Sequence, residues 1–154
     1  MMDEFAIPLD ELIAHRRPLQ LLDRVISLSE TEVVAELAVR PDNLFFLPGL
    51  GLPAYVGLEV MAQSIAAIDG MKRRNAGAPP KIGFLLGCRR YSVGPKYFSE
   101  GTRLTAYAKM VFTDGAMFSF ECRINNEDGA ELAKANMNVY APADPKAFLA
   151  QAHV

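Results

Sequence analysis

The chain has 154 residues, of which 51% are hydrophobic and 22% charged, with a formal net charge of −2. That length supports one globular domain with a real core, read here as residues 1–154, and the composition excludes wholesale disorder. The nearly balanced charge gives no overall pull toward nucleic acid or an anionic membrane.

Cys88 and Cys122 stand alone, without Cys-x-x-Cys spacing or a nearby histidine. Neither a metal site nor a disulfide scaffold is indicated, and both read as small buried apolar residues. Asp3 and Glu4 precede any apolar run, unlike a secretory signal. Pro48, Gly49, Gly51 and Pro53 break the longest charge-free segment, so no membrane span is expected and the location reads as cytoplasmic.

In chain order, Leu9 to Ile13 makes one short helical turn ahead of the loop at His15-Arg-Arg-Pro18. Val25 to Leu28 and Val33 to Val39, alternating apolar and polar about a turn at Ser29-Glu30-Thr31, read as a hairpin. An apolar loop broken by Gly and Pro, 44–52, delivers the chain to a helix predicted over 53–73, with Pro53 in its first turn. Gly77-Ala-Pro-Pro80 stops that helix, and Lys72-Arg73-Arg74 suits its C-terminal dipole. A long strand from Ile82 to Val93 follows, ended by Gly94-Pro95. Leu104–Thr113 and Ala116–Ile124 pair about Asp114-Gly115, and Asn126-Glu-Asp-Gly129 leads into a strand from Glu131 to Tyr140. Residues 144–151 read as a short terminal helix.

Between Asp42 and Asp69 the only formal charge is Glu59, set among Val56, Leu58, Val60, Met61 and Ile65. A helix apolar nearly all round is normally buried, and a buried carboxylate must be bonded, paired or protonated. Its pKa is then expected to rise, which suits an acid–base catalyst. A packing role, with Glu59 satisfied by Gln63 or Tyr55 one turn away, explains the same residues equally well. About six strands and one such helix predict an α+β fold in which a curved antiparallel sheet wraps the helix. The apolar 44–52 loop then calls for burial against a second subunit, so a dimer is expected.

Two segments carry a resemblance. His15-Arg16-Arg17-Pro18-Leu19-Gln20-Leu21-Leu22-Asp23-Arg24-Val25 resembles the opening of the hotdog-fold 3-hydroxyacyl-acyl-carrier-protein dehydratases, and Leu58-Glu59-Val60-Met61-Ala62-Gln63 resembles their central-helix signature. The resemblance implies the hotdog fold, an acyl-pantetheine tunnel at a subunit interface and no cofactor beyond the phosphopantetheine that carries the substrate. It implies that Glu59 works with a histidine from another subunit, removing the α-proton of a (3R)-hydroxyacyl thioester and expelling the 3-hydroxyl as water to leave a trans-2-enoyl thioester. Gln63 would hold Glu59, and backbone N–H groups of Ala54 or Tyr55 would polarise the thioester carbonyl. Phe45, Phe46 and Gly49, in the stretch before the helix, would line the substrate site.

The family's histidine belongs to that stretch, and here it is missing: the segment reads Phe45-Phe46-Leu47-Pro48-Gly49. The chain's two histidines, His15 in a motif where the family residue is structural and His153 at the end, are poor candidates for the base. The stretch Gly-Leu-Pro-Ala-Tyr-Val-Gly-Leu-Glu59 is most similar to the dehydratase-like proteins of bacterial aryl-polyene biosynthesis, which resemble half of a catalytic pair and rely on a histidine-bearing hotdog partner.

Three readings follow. The first is a lyase acting on a 3-hydroxyacyl thioester of acyl carrier protein, as a homodimer or higher homo-oligomer, or as a heterodimer with a histidine-bearing partner. The second is a thioesterase, with Glu59 activating water. The third is a non-catalytic subunit that completes a dehydratase. Arg89, Arg90 and Lys96 are candidates to meet the acidic carrier protein, or are ordinary solvated charges at strand ends.

Overall fold

The computed structural model describes residues 7–80, 84–141 and 150. The predicted terminal helix, apart from Ala150, and His153 lie outside the described residues, as do positions 81–83 at the start of the long strand. Among the described residues, eight strands and a long α-helix follow a 3-10 turn at Leu9–Glu11: β1 (Arg24–Leu28), β2 (Glu32–Ala38), β3 (Leu52–Pro53), α1 (Val56–Asn75), β4 (Phe84–Val93), β5 (Tyr97–Phe98), β6 (Arg103–Asp114), β7 (Met117–Asn125) and β8 (Glu131–Tyr140).

Six of the strands form one antiparallel sheet in the order β1-β2-β6-β7-β8-β4. Its register explains why the sheet can wrap a helix. Ala35, Ala106, Ile124 and Ala133 stand opposite one another across four strands, and beside them run Val33, Ala108, Cys122 and Ala135. These residues are buried, and the alanines among them keep the inner face shallow enough for α1 to lie close. Bulges in β1, β4 and β6 interrupt the ladders and add bend. This is the curved hotdog sheet expected from the sequence.

The helix begins three residues later than predicted. Pro53, expected inside its first turn, instead pairs with Tyr97 in the two-residue β3–β5 ribbon, which sequence patterning did not reveal. Gly51 makes this ribbon possible: it has φ +114, and a Cβ there would lie 2.1 Å from the Phe98 carbonyl oxygen. At the other end Ala78 donates to the Arg73 carbonyl at 2.8 Å and Gly77 to that of Arg74 at 3.0 Å, the paired bonds of a Schellman stop. The basic last turn is engaged within the chain. Lys72 lies over the Phe118 ring, Arg73 donates to the Pro79 carbonyl and Arg74 meets Glu11.

The entry segment lies along α1 because of Gly70. A Cβ at that position would sit 1.7 Å from the Leu12 carbonyl oxygen, so only glycine admits the segment, with Leu12 and Ile13 buried beneath it. The arginines of the opening motif then fasten the loop. Arg16 donates to the carbonyls of Asp10, Ile13 and His15, and Arg17 to those of Gln20 and Leu22. Asp23 gathers Arg17, both Arg40 terminal nitrogens and the Ala38 N–H. Burial pushes its carboxyl up, but hydrogen bonds from Arg40, Ala38 and Arg17 outweigh that and hold it below the usual carboxylate range.

Candidate active site

Glu59 projects from the first turn of α1 into the wall of an open cavity of about 430 Å³, lined by His15, Leu19, Phe45, Tyr55, Val56 and Glu59. The expectation of a deeply buried carboxylate does not hold for the single chain, because the Glu59 side chain is 45% exposed. The helix is sheathed by the sheet and the entry segment on its other sides, and this stretch is where the sheath is open.

Gln63 is the fully buried member of the predicted pair. Its Oε1 accepts the Leu21 N–H at 2.8 Å, and its Nε2 donates to the Leu19 carbonyl at 2.9 Å and to Glu59 Oε1 at 2.9 Å. One amide thus ties the His-Arg-x-Pro loop to the helix and fixes the carboxylate one turn below. Glu59 and Gln63, brought together from sequence, are together in space.

The structure places a third group there. His15, set aside in the sequence reading, brings Nε2 to 3.5 Å from Glu59 Oε1. Nothing in the spacing of positions 15 and 59 foretold this; the contact arises because Gly70 and Gln63 seat the entry loop on the helix.

The start of α1 corrects part of the predicted oxyanion site. The Ala54 N–H donates to the Lys96 carbonyl at 2.9 Å and is therefore not available to a substrate. The Tyr55 N–H has no acceptor among the described residues, and no side chain caps the helix. Its direction is set by Tyr91, whose hydroxyl donates to the Ala54 carbonyl at 2.5 Å. In a trans peptide the N–H points opposite to the C=O, so gripping that carbonyl aims the Tyr55 N–H the other way. Gly57 leaves room for the grip, since a Cβ there would lie 2.3 Å from the Tyr91 hydroxyl. Burial pushes the Tyr91 hydroxyl up to about 12, with nearby Cys88 adding to the shift, so it remains a donor at neutral pH.

Of the residues before the helix, Phe45 lines the cavity, whereas Phe46 packs half-buried against the core and Gly49 stands exposed at φ +78. Neither Phe46 nor Gly49 belongs to the cavity wall. Arg89, Arg90 and Lys96 are exposed and do not line it either. Arg90, with φ 57, borders a separate trough of about 550 Å³ on the sheet face away from the helix, where Lys109, Arg123 and Lys134 mingle with Glu32, Glu121 and Glu131. Cys88 is half-buried and Cys122 buried, each as a free thiol.

A central helix wrapped by a six-stranded sheet, with a glutamate facing an apolar cavity and held by a buried glutamine, defines a hotdog protein with a dehydratase-type helix. The chain belongs to the ApeP-like dehydratase family, whose model matches residues 7–150. It is similar to a chain in the structure of the dehydratase heterocomplex ApeI:P from Xenorhabdus doucetiae, with a TM-score of 0.87 and 27% identity, covering 96% of this chain and 99% of that one. The 3-hydroxyacyl-[acyl-carrier-protein] dehydratase FabZ of Streptococcus sanguinis is 30% identical over 117 residues, 73% of this chain and 81% of that protein. The FabZ of Streptococcus agalactiae serotype V is 30% identical over 131 residues, 82% and 90% of the two chains. The PaaI protein of the Escherichia coli phenylacetic acid degradation operon, at 14% identity and a TM-score of 0.61 over 77% of this chain and 82% of that one, shares the fold alone. No helix among the described residues is long and apolar enough to cross a membrane.

Proposed function

We propose that the chain supplies the carboxylate half of a 3-hydroxyacyl-acyl-carrier-protein dehydratase. The observation that carries this reading is Glu59, held by Gln63 at the wall of an apolar cavity, beside a helix start whose Tyr55 N–H has no acceptor among the described residues. Leu19, Phe45 and Val56 suit an acyl chain, and the Tyr55 N–H suits the thioester oxygen, where negative charge develops as the α-proton leaves. Glu59 enters the step with a proton on the oxygen that faces the substrate, gives it to the 3-hydroxyl and leaves the step as the carboxylate. The C2–H and C3–O bonds break, C2=C3 forms, and water departs.

The base that takes the α-proton is a histidine of a hotdog partner, in keeping with the missing histidine at Phe45–Gly49 and with the similarity to a protein of a dehydratase heterocomplex. Leu44, Phe45, Leu47, Leu50 and Tyr55 are exposed large apolar side chains in and just after the loop leading to α1, and a partner subunit would cover them. In a homodimer a second copy would cover the same surface. Arg89, Arg90 and Lys96 are the cations assigned to the acidic carrier protein, reached from outside the cavity. The phosphopantetheine arm is then the only prosthetic group the reaction uses.

The test is to incubate the purified chain, alone and with the hotdog protein co-expressed with it, with 3-hydroxyoctanoyl and octanoyl N-acetylcysteamine thioesters. Enoyl thioester from the first substrate supports the reading. Free thiol from both substrates would instead assign a hydrolase, with Glu59 activating water.

A further inference from the structure

Glu59 Oε1 is crowded: it accepts from Gln63 Nε2 at 2.9 Å and lies 3.5 Å from His15 Nε2. Among the described residues none engages Oε2. The carboxylate therefore has one oxygen turned to its supports and one left over.

The imidazole is just as asymmetric. His15 Nδ1 is buried with no hydrogen-bond partner, whereas Nε2 faces the carboxylate. With the proton on Nδ1 the ring would bury a donor without an acceptor and turn the Nε2 lone pair toward a carboxyl oxygen, whereas a proton on Nε2 points at Glu59 Oε1, an acceptor whether or not Oε2 carries a proton. The environment thus selects the Nε2–H tautomer. The backbone that carries the ring is fastened to the helix, since Arg16 is bonded to the carbonyls of Asp10, Ile13 and His15, and Leu19 and Leu21 are bonded to Gln63. The neighbouring cations do not compete for Glu59, because Arg16 is spent on carbonyls and Arg17 on carbonyls and Asp23.

We propose that His15 is a positioning residue for Glu59, supplied by the same chain: its Nε2–H, 3.5 Å away in the single chain, closes on Oε1 beside the Gln63 amide when the site is assembled, leaving Oε2 as the oxygen that handles the substrate hydroxyl. The inference rests on the dehydratase reading and deepens it. A glutamate's terminal torsion is broad, so a single donor leaves the carboxylate free to swing, whereas two donors on one oxygen fix which edge meets the substrate. The role differs from that of the α-proton base, which comes from the partner.

The experiment uses the complex of the full chain with its co-expressed hotdog partner, acting on 3-hydroxyoctanoyl N-acetylcysteamine. His15→Leu keeps the volume and removes the donor, and its kcat is expected to fall about 10–100-fold with KM within about twofold. His15→Gln, whose amide nitrogen reaches the place of Nε2, should recover most of that loss. Equal activity of His15→Leu and wild type overturns the proposal, as does His15→Gln remaining as slow as His15→Leu. A second measurement does not depend on turnover: the imidazole ¹⁵N spectrum at pH 8 should show the Nε2–H tautomer, and the Nδ1–H tautomer would overturn the placement. If the wild-type complex forms no enoyl thioester, the dehydratase reading falls by itself and the tautomer still decides His15.

Discussion

At the scale of the residue, Gln63 does more than the sequence assigned to it. Replacing it with Leu keeps the size but strips partners from the Leu21 N–H, the Leu19 carbonyl and Glu59 Oε1 together. Two backbone groups and one carboxylate oxygen lose their bond, so unfolding stability should drop by about 2–4 kcal/mol and kcat by more than tenfold. Urea titration and the dehydration assay on the same preparation check both; unchanged values would reduce Gln63 to a spacer. The Glu59–Gln63 contact was legible because one turn of helix separates the two positions. His15 was not, because its approach depends on forty-odd intervening residues folding the entry loop onto α1, a distance over which spacing carries no information. Tyr91 was missed for the same reason: a tyrosine on a strand reads as sheet packing until its hydroxyl is seen on the Ala54 carbonyl.

At the scale of the element, the strands of the main sheet were readable from alternation and turn residues, with edges differing by a residue or two. The hairpin turn falls on Gly115-Ala116 rather than Asp114-Gly115, since Asp114 still pairs with Met117. The helix start was misread because Pro53 satisfies two rules at once: its fixed φ fits a first helical turn and also a short edge ribbon, and the tertiary contact with Tyr97 decides for the ribbon. Helix composition likewise overstated the burial of Glu59, because an apolar neighbourhood in sequence did not show that this face opens on a cavity. The dependence of the entry segment on α1 gives a sharp test. Gly70→Ala puts a methyl into the Leu12 carbonyl, which as backbone cannot step aside, and should cost about 1–3 kcal/mol. Because the same segment carries His15, protease cleavage within residues 9–20 should rise in this variant. A Gly70→Ala protein as stable and as resistant as wild type would show that the segment is not seated as described.

At the scale of the whole molecule, the register that sets mostly small residues opposite one another across four strands lets one sheet enclose one helix, yet it leaves the Glu59 face uncovered, and the proposed partner would sit there. The core also predicts an alkaline limit. Burial pushes the Cys122 thiol up to about 12, with charges at Cys88 and Glu121 adding to it, and burial likewise pushes the Tyr91 hydroxyl up to about 12. Their ordinary values are 9.0 and 10.0, so between those values and about 12 the unfolded chain has released protons that the folded chain still holds. Stability is therefore undiminished by these groups below pH 9 and falls as pH rises toward 12. Urea midpoints measured from pH 8 to 11 should decline beyond pH 9, less steeply in Cys122→Ala; an equal slope in both proteins contradicts the assignment.

The most direct measurement compares wild type with Glu59→Gln, each in complex with the co-expressed hotdog partner, on a (3R)-3-hydroxyacyl acyl carrier protein followed by mass spectrometry. Wild type should lose water from the acyl chain, while the Gln variant, folded and still bound to its partner, should leave the hydroxyacyl group untouched. Dehydration at the wild-type rate by the variant complex would contradict the account.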